Sequence, residues 1–161
     1  MKLLIHDLDP ALVGERPGLT VIAPGVDIHP CLGCFGCWVK TPNACVIRDG
    51  VGDMGTLLAR CTEVTLLSRC CYGGFSPFVK NVLDRSIPYL HPDFVYKNHE
   101  MHHKRRYPNQ IRLRVAFYGP GLTERVRATA RDLVRANAVN LDCAVESVRF
   151  SEQLEPWEEL T

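Results

Sequence analysis

Four cysteines in one short segment are the residues of this sequence best suited to metal or redox chemistry. They are Cys31, Cys34, Cys37 and Cys45, with the spacing C-x2-C-x2-C-x7-C. Three thiolates at this interval can bind one face of a 4Fe-4S cluster, and a fourth can complete its coordination. The same thiolates can bind zinc tetrahedrally, and they can equally stay free. The spacing leaves these three alternatives open.

Two short glycine-containing loops form a second candidate site. Each follows an apolar strand candidate, and ligands of parallel sheets bind at the carboxyl ends of strands. The loops consist of Cys71, Tyr72, Gly73, Gly74 and Phe75, and of Tyr118, Gly119, Pro120, Gly121 and Leu122. For the first loop, a tight turn between a strand and a helix is the structural alternative to ligand binding.

Strands that alternate with helices must position these residues. The strand candidates are residues 2–6, 19–23, 64–67, 113–118 and 143–150, the last as an edge strand. Helix starts are predicted at Asp53, at Ser76 and at Thr123, because these residue types cap helices, and Pro88 is expected to end the second helix. This alternation predicts one α/β domain over residues 1–161, with a parallel sheet and helices on both faces.

Three segments fall outside this pattern. They are the cysteine-rich loop 30–49, an irregular segment 89–110, and an acidic tail 151–161 that carries Leu154, Trp157 and Leu160. The irregular segment contains the basic run from His102 to Arg106. That run is expected to be a solvated or subunit-contact segment, with phosphate binding as the alternative.

Composition limits the classes of function. The chain has 161 residues, 46% of them hydrophobic, and a net charge of +1. This balance gives no reason to expect nucleic acid or an anionic membrane as a partner. No apolar run is long enough to span a bilayer, and the acids Asp7 and Asp9 come too early for a signal peptide. A cytoplasmic location is therefore expected, where a reducing environment disfavours disulfides.

Several stretches together resemble one protein family. They are PCLGCFGCWVKTP at residues 30–42, CVIRD at 45–49, YGGFS at 72–76 and MHHKRRY at 101–107. Over residues 30–150 the sequence is similar to the flavodoxin-like NAD(P)H-dependent FMN reductases, nearest to their iron–sulfur flavoprotein branch. The resemblance implies a doubly wound, five-stranded flavodoxin-like sheet. It also implies FMN, with its ring held by residues 71–75 and by the loop from Tyr118 to Gly121.

The sequence departs from this family after the first strand. Members usually continue with a phosphate-binding loop and a full helix, which hold the FMN phosphate through backbone N–H groups. Here only residues 7–18 separate the first two strands, and they include Pro10, Pro17 and three acids. We expect a truncated first crossover of about one helical turn, and no phosphate-binding loop.

Two functions are consistent with these residues. One is an FMN-dependent oxidoreductase that takes hydride from NAD(P)H or electrons from another small redox partner. The alternative is a non-enzymatic descendant of the fold that acts through its cysteine loop as a metal-binding or thiol redox protein.

The truncated crossover also bears on assembly. It is expected to expose apolar side chains such as Leu4, Val21 and Ile22, which the tail or a second subunit would cover. A homo-oligomer is therefore predicted.

Overall fold

Five parallel strands form the central sheet of the protein, whose computed structural model describes residues 1–154. The described residues contain seven strands, of which β4 and β5 form a separate two-stranded sheet. In chain order they are β1 (Lys2–His6), β2 (Leu19–Ile22), β3 (Glu63–Arg69), β4 (Leu90–Lys97), β5 (Glu100–Arg105), β6 (Ile111–Tyr118) and β7 (Cys143–Ser151). The sheet order is β2-β1-β3-β6-β7, and all neighbouring strands are parallel. This is the strand order of flavodoxin-like folds, so the predicted fold class is confirmed. The predicted edge strand is β7.

Three of the five helices in residues 1–154 begin directly after the predicted N-cap residues Asp53, Ser76 and Thr123, although the Asp53 side chain makes no capping hydrogen bond. The five helices are α1 (Pro10–Val13), α2 (Gly36–Val39), α3 (Met54–Ala59), α4 (Pro77–Asp84) and α5 (Glu124–Leu141). The Ser76 hydroxyl accepts a hydrogen bond from the N–H of Val79, and the Thr123 hydroxyl accepts one from Val126. One boundary prediction is wrong: α4 ends at Asp84 rather than at Pro88, which lies in a following 3-10 turn.

The helices α3, α4 and α5 cover one face of the sheet. Alternate strand residues such as Leu3, Leu66 and Phe117 point to this face and pack against Val79 and Val134 of the helices. Fully burying an aliphatic or aromatic side chain of this size contributes about 1.5–3 kcal/mol, so this layer is the main source of stability. It holds the carboxyl ends of the strands in fixed positions.

The opposite face carries only the single turn of α1 among the described residues. At its carboxyl end, Leu8 and Val13 cover Leu4. At its amino end the face is polar, and its paired charges are Lys2 with Glu63, Arg112 with Glu63, and Arg114 with Glu146.

The expectation that Leu4 and Ile22 are exposed is therefore wrong. Leu8 and Val13 bury Leu4, and Ile22 belongs to the helix-covered core, while Val21 is half-buried. Leu154 is exposed and does not cover this face. Trp157 and Leu160, which were expected to do so, lie outside the described residues.

The segment 89–110 is not irregular, which corrects the sequence-based expectation. Most of it forms an antiparallel hairpin of β4 and β5. Asn98 and His99 both have positive φ at the turn, as in the tight turns that match strand twist. Histidine and charged residues hid the strand alternation. His102 contacts Asn140 of α5 from one face of the hairpin, and His103 packs against Trp38 from the other. Within residues 1–154, no helix has the length and apolar character needed to cross a membrane.

Candidate functional site

A cleft of about 320 Å³ opens at the carboxyl ends of β3 and β6. Its lining residues are Arg69, Cys70, Cys71, Tyr72, Pro120, Gly121, Leu122 and Val126. The volume is at the lower end of the range of small-molecule sites, about 300–1,000 Å³. A wider groove beside Leu19 and Val21 lies at the edge of the sheet, away from the ends of the central strands. The cleft is therefore the better candidate for a ligand site.

Tyr72 stands at the tip of a tight turn beside this cleft. The N–H of Cys71 donates to the Gly74 carbonyl at 2.9 Å, and the N–H of Gly74 donates to the Cys71 carbonyl at 2.8 Å. Both residues between them have positive φ, 54° at Tyr72 and 83° at Gly73. The Tyr72 side chain is 100% exposed. A tyrosine in this left-handed conformation is strained, so the fold holds an unburied aromatic ring here at an energetic cost.

The rest of this loop has structural roles. A Cβ on Gly73 would lie 2.9 Å from Thr129 on α5, so the glycine is needed for close packing against that helix. Phe75 is buried in the core, where its ring stacks on Phe117 with centroids 5.1 Å apart. Of the residues predicted to hold a ring in this loop, Cys71 and Tyr72 line the cleft, whereas Gly73, Gly74 and Phe75 do not.

In the second loop, too, some of the predicted residues line the cleft and others have structural roles. Pro120 and Gly121 line the cleft, while the Gly119 N–H donates to the Ser151 carbonyl at 3.1 Å. The Tyr118 hydroxyl donates to the Asp7 carboxylate at 3.0 Å. Burial and the charge of Asp7 raise the pKa of Tyr118, so this phenol stays protonated.

The end of β1 is closed to a phosphate group. The Asp7 carboxylate accepts the N–H of Arg69 at 2.9 Å, and the Asp9 carboxylate accepts the N–H of Ala11 at 2.9 Å. These N–H groups thus bond to carboxylates of the chain itself. A phosphate at this position would meet two negative charges, so the residues at the end of β1 do not fit the phosphate of FMN.

The basic run from His102 to Arg106 does not replace that phosphate site. Arg105 donates to the carbonyls of Tyr107 and Asn109, and Arg106 donates to the carbonyl of Leu90. His102 lies within hydrogen-bond distance of Asn140 near the end of α5. These side chains fix the hairpin to the domain.

The four clustered cysteines lie in the segment 31–45, in which Cys37 belongs to the short helix α2 and the other three lie in the loops on either side of it. Cys31 and Cys34 are exposed, and Cys37 and Cys45 are half-buried. Burial raises the pKa of the Cys37 thiol, and a negative charge on Cys45 raises it further. Within residues 1–154, no group of three or more His, Cys, Asp or Glu side chains is arranged to bind one metal ion. The structure therefore does not support the predicted iron–sulfur or zinc site.

A buried ion pair anchors this loop to the end of α4. Arg85 donates to both carboxylate oxygens of Asp49, at 2.6 and 2.9 Å, and their side chains are 0% and 4% exposed. Arg85 also donates to the carbonyls of His29 and Ile47. Sequence reasoning did not assign a role to this pair, because the two residues are 36 positions apart and only the fold brings them together.

The comparisons with known proteins agree with this fold. No protein-family model matches the sequence, and no curated protein matches it. The solved structures that resemble it include the Trp repressor binding protein from Bacillus subtilis, with a TM-score of 0.52 and 10% identity over 97% of this chain and 89% of that one. An azoreductase from Bacillus anthracis has a TM-score of 0.51 and 10% identity over 92% and 84%. At this identity the similarity establishes the flavodoxin-like fold alone.

Proposed function

We propose that the protein is an oxidoreductase that binds the isoalloxazine ring of a flavin in the cleft between the loops after β3 and β6. The observation that carries this proposal is the position of the cleft at the carboxyl ends of two central strands, with a strained, fully exposed tyrosine beside it. A structural neighbour named an azoreductase supports a reductase function at the level of the fold.

The side chains around the cleft suit a flat, partly apolar ring that gains negative charge on reduction. Tyr72 offers an aromatic face for stacking. Leu122 and Val126 offer an apolar wall that excludes water, and Arg69 brings a positive charge. A bound flavin would supply the redox chemistry, accepting hydride from NAD(P)H and passing electrons to an acceptor.

The loops limit which backbone groups can recognise the ring. The N–H groups of Cys71 and Gly74 bond within their own turn, and that of Cys70 donates to the Tyr118 carbonyl at 2.8 Å. Recognition of the flavin ring would therefore depend mainly on stacking against Tyr72, on the charge of Arg69 and on the remaining hydrogen-bond donors of the two loops. Because the end of β1 repels a phosphate, riboflavin is expected to bind about as well as FMN.

Flavin titration tests this proposal. We expect quenching of flavin fluorescence by the wild type, with Kd values for FMN and riboflavin that agree within about threefold. Tyr72→Asn removes the ring and should weaken both by about tenfold, since aromatic stacking contributes about 0.5–1.5 kcal/mol. The matched control is Tyr96→Asn, because Tyr96 is also exposed but lies on the hairpin beside the far end of α5, about 20 Å along the helix from Val126.

Two results would contradict the proposal. Equal weakening by both substitutions would mean that flavin does not stack on Tyr72. If riboflavin binds more than tenfold more weakly than FMN, the protein must have a phosphate site elsewhere. Flavin-dependent oxidation of NAD(P)H by the wild type, reduced in Tyr72→Asn, would then connect binding to activity.

A further inference from the structure

Two adjacent cysteines, Cys70 and Cys71, border the cleft, and the proposed flavin site makes no use of their thiols. Both are half-buried, and both line the same cavity. Successive side chains of an extended strand point to opposite faces, but β3 ends at Arg69, so the two cysteines follow the strand and are not bound to this alternation. The cleft therefore carries two neighbouring thiols, a vicinal dithiol.

Backbone hydrogen bonds hold both cysteines in place. The Cys70 N–H donates to the Tyr118 carbonyl at 2.8 Å. The Cys71 N–H donates to the Gly74 carbonyl at 2.9 Å, and the Cys71 carbonyl accepts the Gly74 N–H at 2.8 Å. A ligand that bonds to both thiols therefore orders little additional backbone, which favours its binding.

The covalent geometry disfavours a disulfide between these two residues. The peptide bond that joins them is trans, which fixes their Cα atoms about 3.8 Å apart. A disulfide needs about 4.4–6.8 Å between Cα atoms, and the hydrogen-bonded backbone is not free to adjust. Burial raises the pKa of the Cys70 thiol, so this thiol stays protonated at neutral pH and reacts slowly with oxidants. The pair therefore persists as a dithiol, and one bridging atom can bond to both of its sulfurs.

We propose that Cys70 and Cys71 bind a compound of trivalent arsenic that carries one organic substituent. Thiolates are soft ligands and select soft centres of this kind. Two arsenic–hydroxyl bonds and two S–H bonds break, two arsenic–sulfur bonds form, and two water molecules leave. No electrons are transferred, so the reaction requires neither an oxidant nor a reductant. The arsenic atom enlarges the ring that a disulfide would close, which removes the conflict with the short Cα separation.

The cleft favours an organic substituent over a third hydroxyl group on the arsenic. Leu122 and Val126 give one wall an apolar surface, and the cleft volume of about 320 Å³ accommodates a phenyl ring. Contact with these side chains removes the apolar surface of the ring from water. Phenylarsine oxide is therefore expected to bind about tenfold more tightly than arsenite, or better.

Protection from alkylation tests this site without any flavin, so its outcome is independent of the proposed function. The reduced, full-length protein is titrated with phenylarsine oxide or with arsenite, treated with N-ethylmaleimide and digested with trypsin. Cleavage after Arg69 and Lys80 releases a peptide of residues 70–80, which contains Cys70 and Cys71 and no other cysteine. Mass spectrometry then measures the alkylated fraction of this peptide.

We expect phenylarsine oxide to protect both cysteines of this peptide, and 2,3-dimercaptopropanol to restore their alkylation. Cys70→Ser and Cys71→Ser, each checked for folding by circular dichroism, should require at least about tenfold more phenylarsine oxide, because the second sulfur no longer adds an intramolecular bond. Cys34→Ser is the matched control, since it removes an exposed thiol outside the cleft and should leave this protection unchanged.

Three results would overturn the proposal. The first is protection confined to the clustered cysteines of the segment 31–45. The second is equal protection of the peptide 70–80 by arsenite and by phenylarsine oxide. The third is formation of a disulfide between Cys70 and Cys71 when the protein is treated with diamide.

Discussion

Replacing Asp49 by asparagine is the most informative test of how the cysteine loop is held to the fold. The substitution keeps the shape of the side chain but removes its charge. Asp49 accepts two hydrogen bonds from Arg85 and one each from the N–H groups of His29 and Val51. All four partners are donors, so the amide NH2 of asparagine would face a donor instead of an acceptor. Arg85 would keep a buried charge without its counterion.

Two estimates give the size of the effect. Burial acts to raise the pKa of Asp49, but the hydrogen bonds from Arg85 and the two N–H groups lower it from 3.8 to about 2. At about 1.4 kcal/mol per pH unit, this corresponds to ~2.5 kcal/mol of stability at neutral pH. Removing one member of a buried ion pair costs about 3–5 kcal/mol, because the remaining charge is uncompensated. We expect Asp49→Asn to lower the free energy of unfolding by about 3 kcal/mol.

The pH dependence has a definite sign. Because the folded-state pKa of Asp49 lies below its unfolded value, its stabilisation is fully present above about pH 4. It is lost as the pH falls through about 2. The difference in stability between wild type and Asp49→Asn should therefore be constant near neutral pH and become smaller between pH 4 and pH 2.

Urea unfolding followed by tryptophan fluorescence and circular dichroism measures both effects. The matched control is Asp132→Asn, which breaks a 2.9 Å ion pair with Arg135 in which both side chains are mostly exposed. Such a surface pair contributes at most ~1 kcal/mol. Two results would show that the buried pair does not hold the loop. One is that Asp49→Asn lowers the free energy of unfolding no more than Asp132→Asn does. The other is that the stability difference between Asp49→Asn and wild type stays the same between pH 4 and pH 2.

Three further predictions concern the cleft turn and the hairpin. Tyr72→Asn should raise the free energy of unfolding by about 1 kcal/mol in urea, because asparagine tolerates positive φ and no buried surface is lost; a decrease would contradict the assigned strain. Gly73→Ala should lower it by about 2 kcal/mol, since the new methyl group would contact Thr129, and the double variant with Thr129→Gly should recover part of the loss. We also propose a homodimer through the hairpin, because Phe94, Tyr96 and Met101 expose most of their side chains on it. Light scattering should show a dimer that Phe94→Ser weakens, and a wild-type monomer would refute this.

Local signals in the sequence were sufficient for the elements of the sheet and for the two main helix starts. Apolar runs placed the five parallel strands within two residues of their observed bounds, because buried strands need continuous apolar side chains. Ser76 and Thr123 were identified as caps because a capping hydroxyl acts on an N–H only three residues away. The short connection after β1 likewise predicted a crossover of one turn, which is α1.

Non-local packing decided what these signals could not. Leu8 and Val13 cover Leu4 and so remove the expected apolar face, a contact that no local pattern of residues predicts. The hairpin was also not predicted, because histidine and charged residues on both of its faces interrupt the apolar alternation. Arg69 and Val126 line the cleft because α5 packs against the loop after β3.

The sequence by itself determined the fold class, the order of the five sheet strands and of α3, α4 and α5 along the chain, and the clustering of four thiols in one segment, because each depends on short-range patterns of residue type. Only the tertiary structure decided what those residues can do. It placed Phe75 in the core and Tyr72 in solvent, although the two are three positions apart, because the turn between them reverses the chain. It also brought Arg85 from the end of α4 to Asp49. Charge interactions of this kind depend on distance in space and on burial, and neither can be obtained from spacing along the chain.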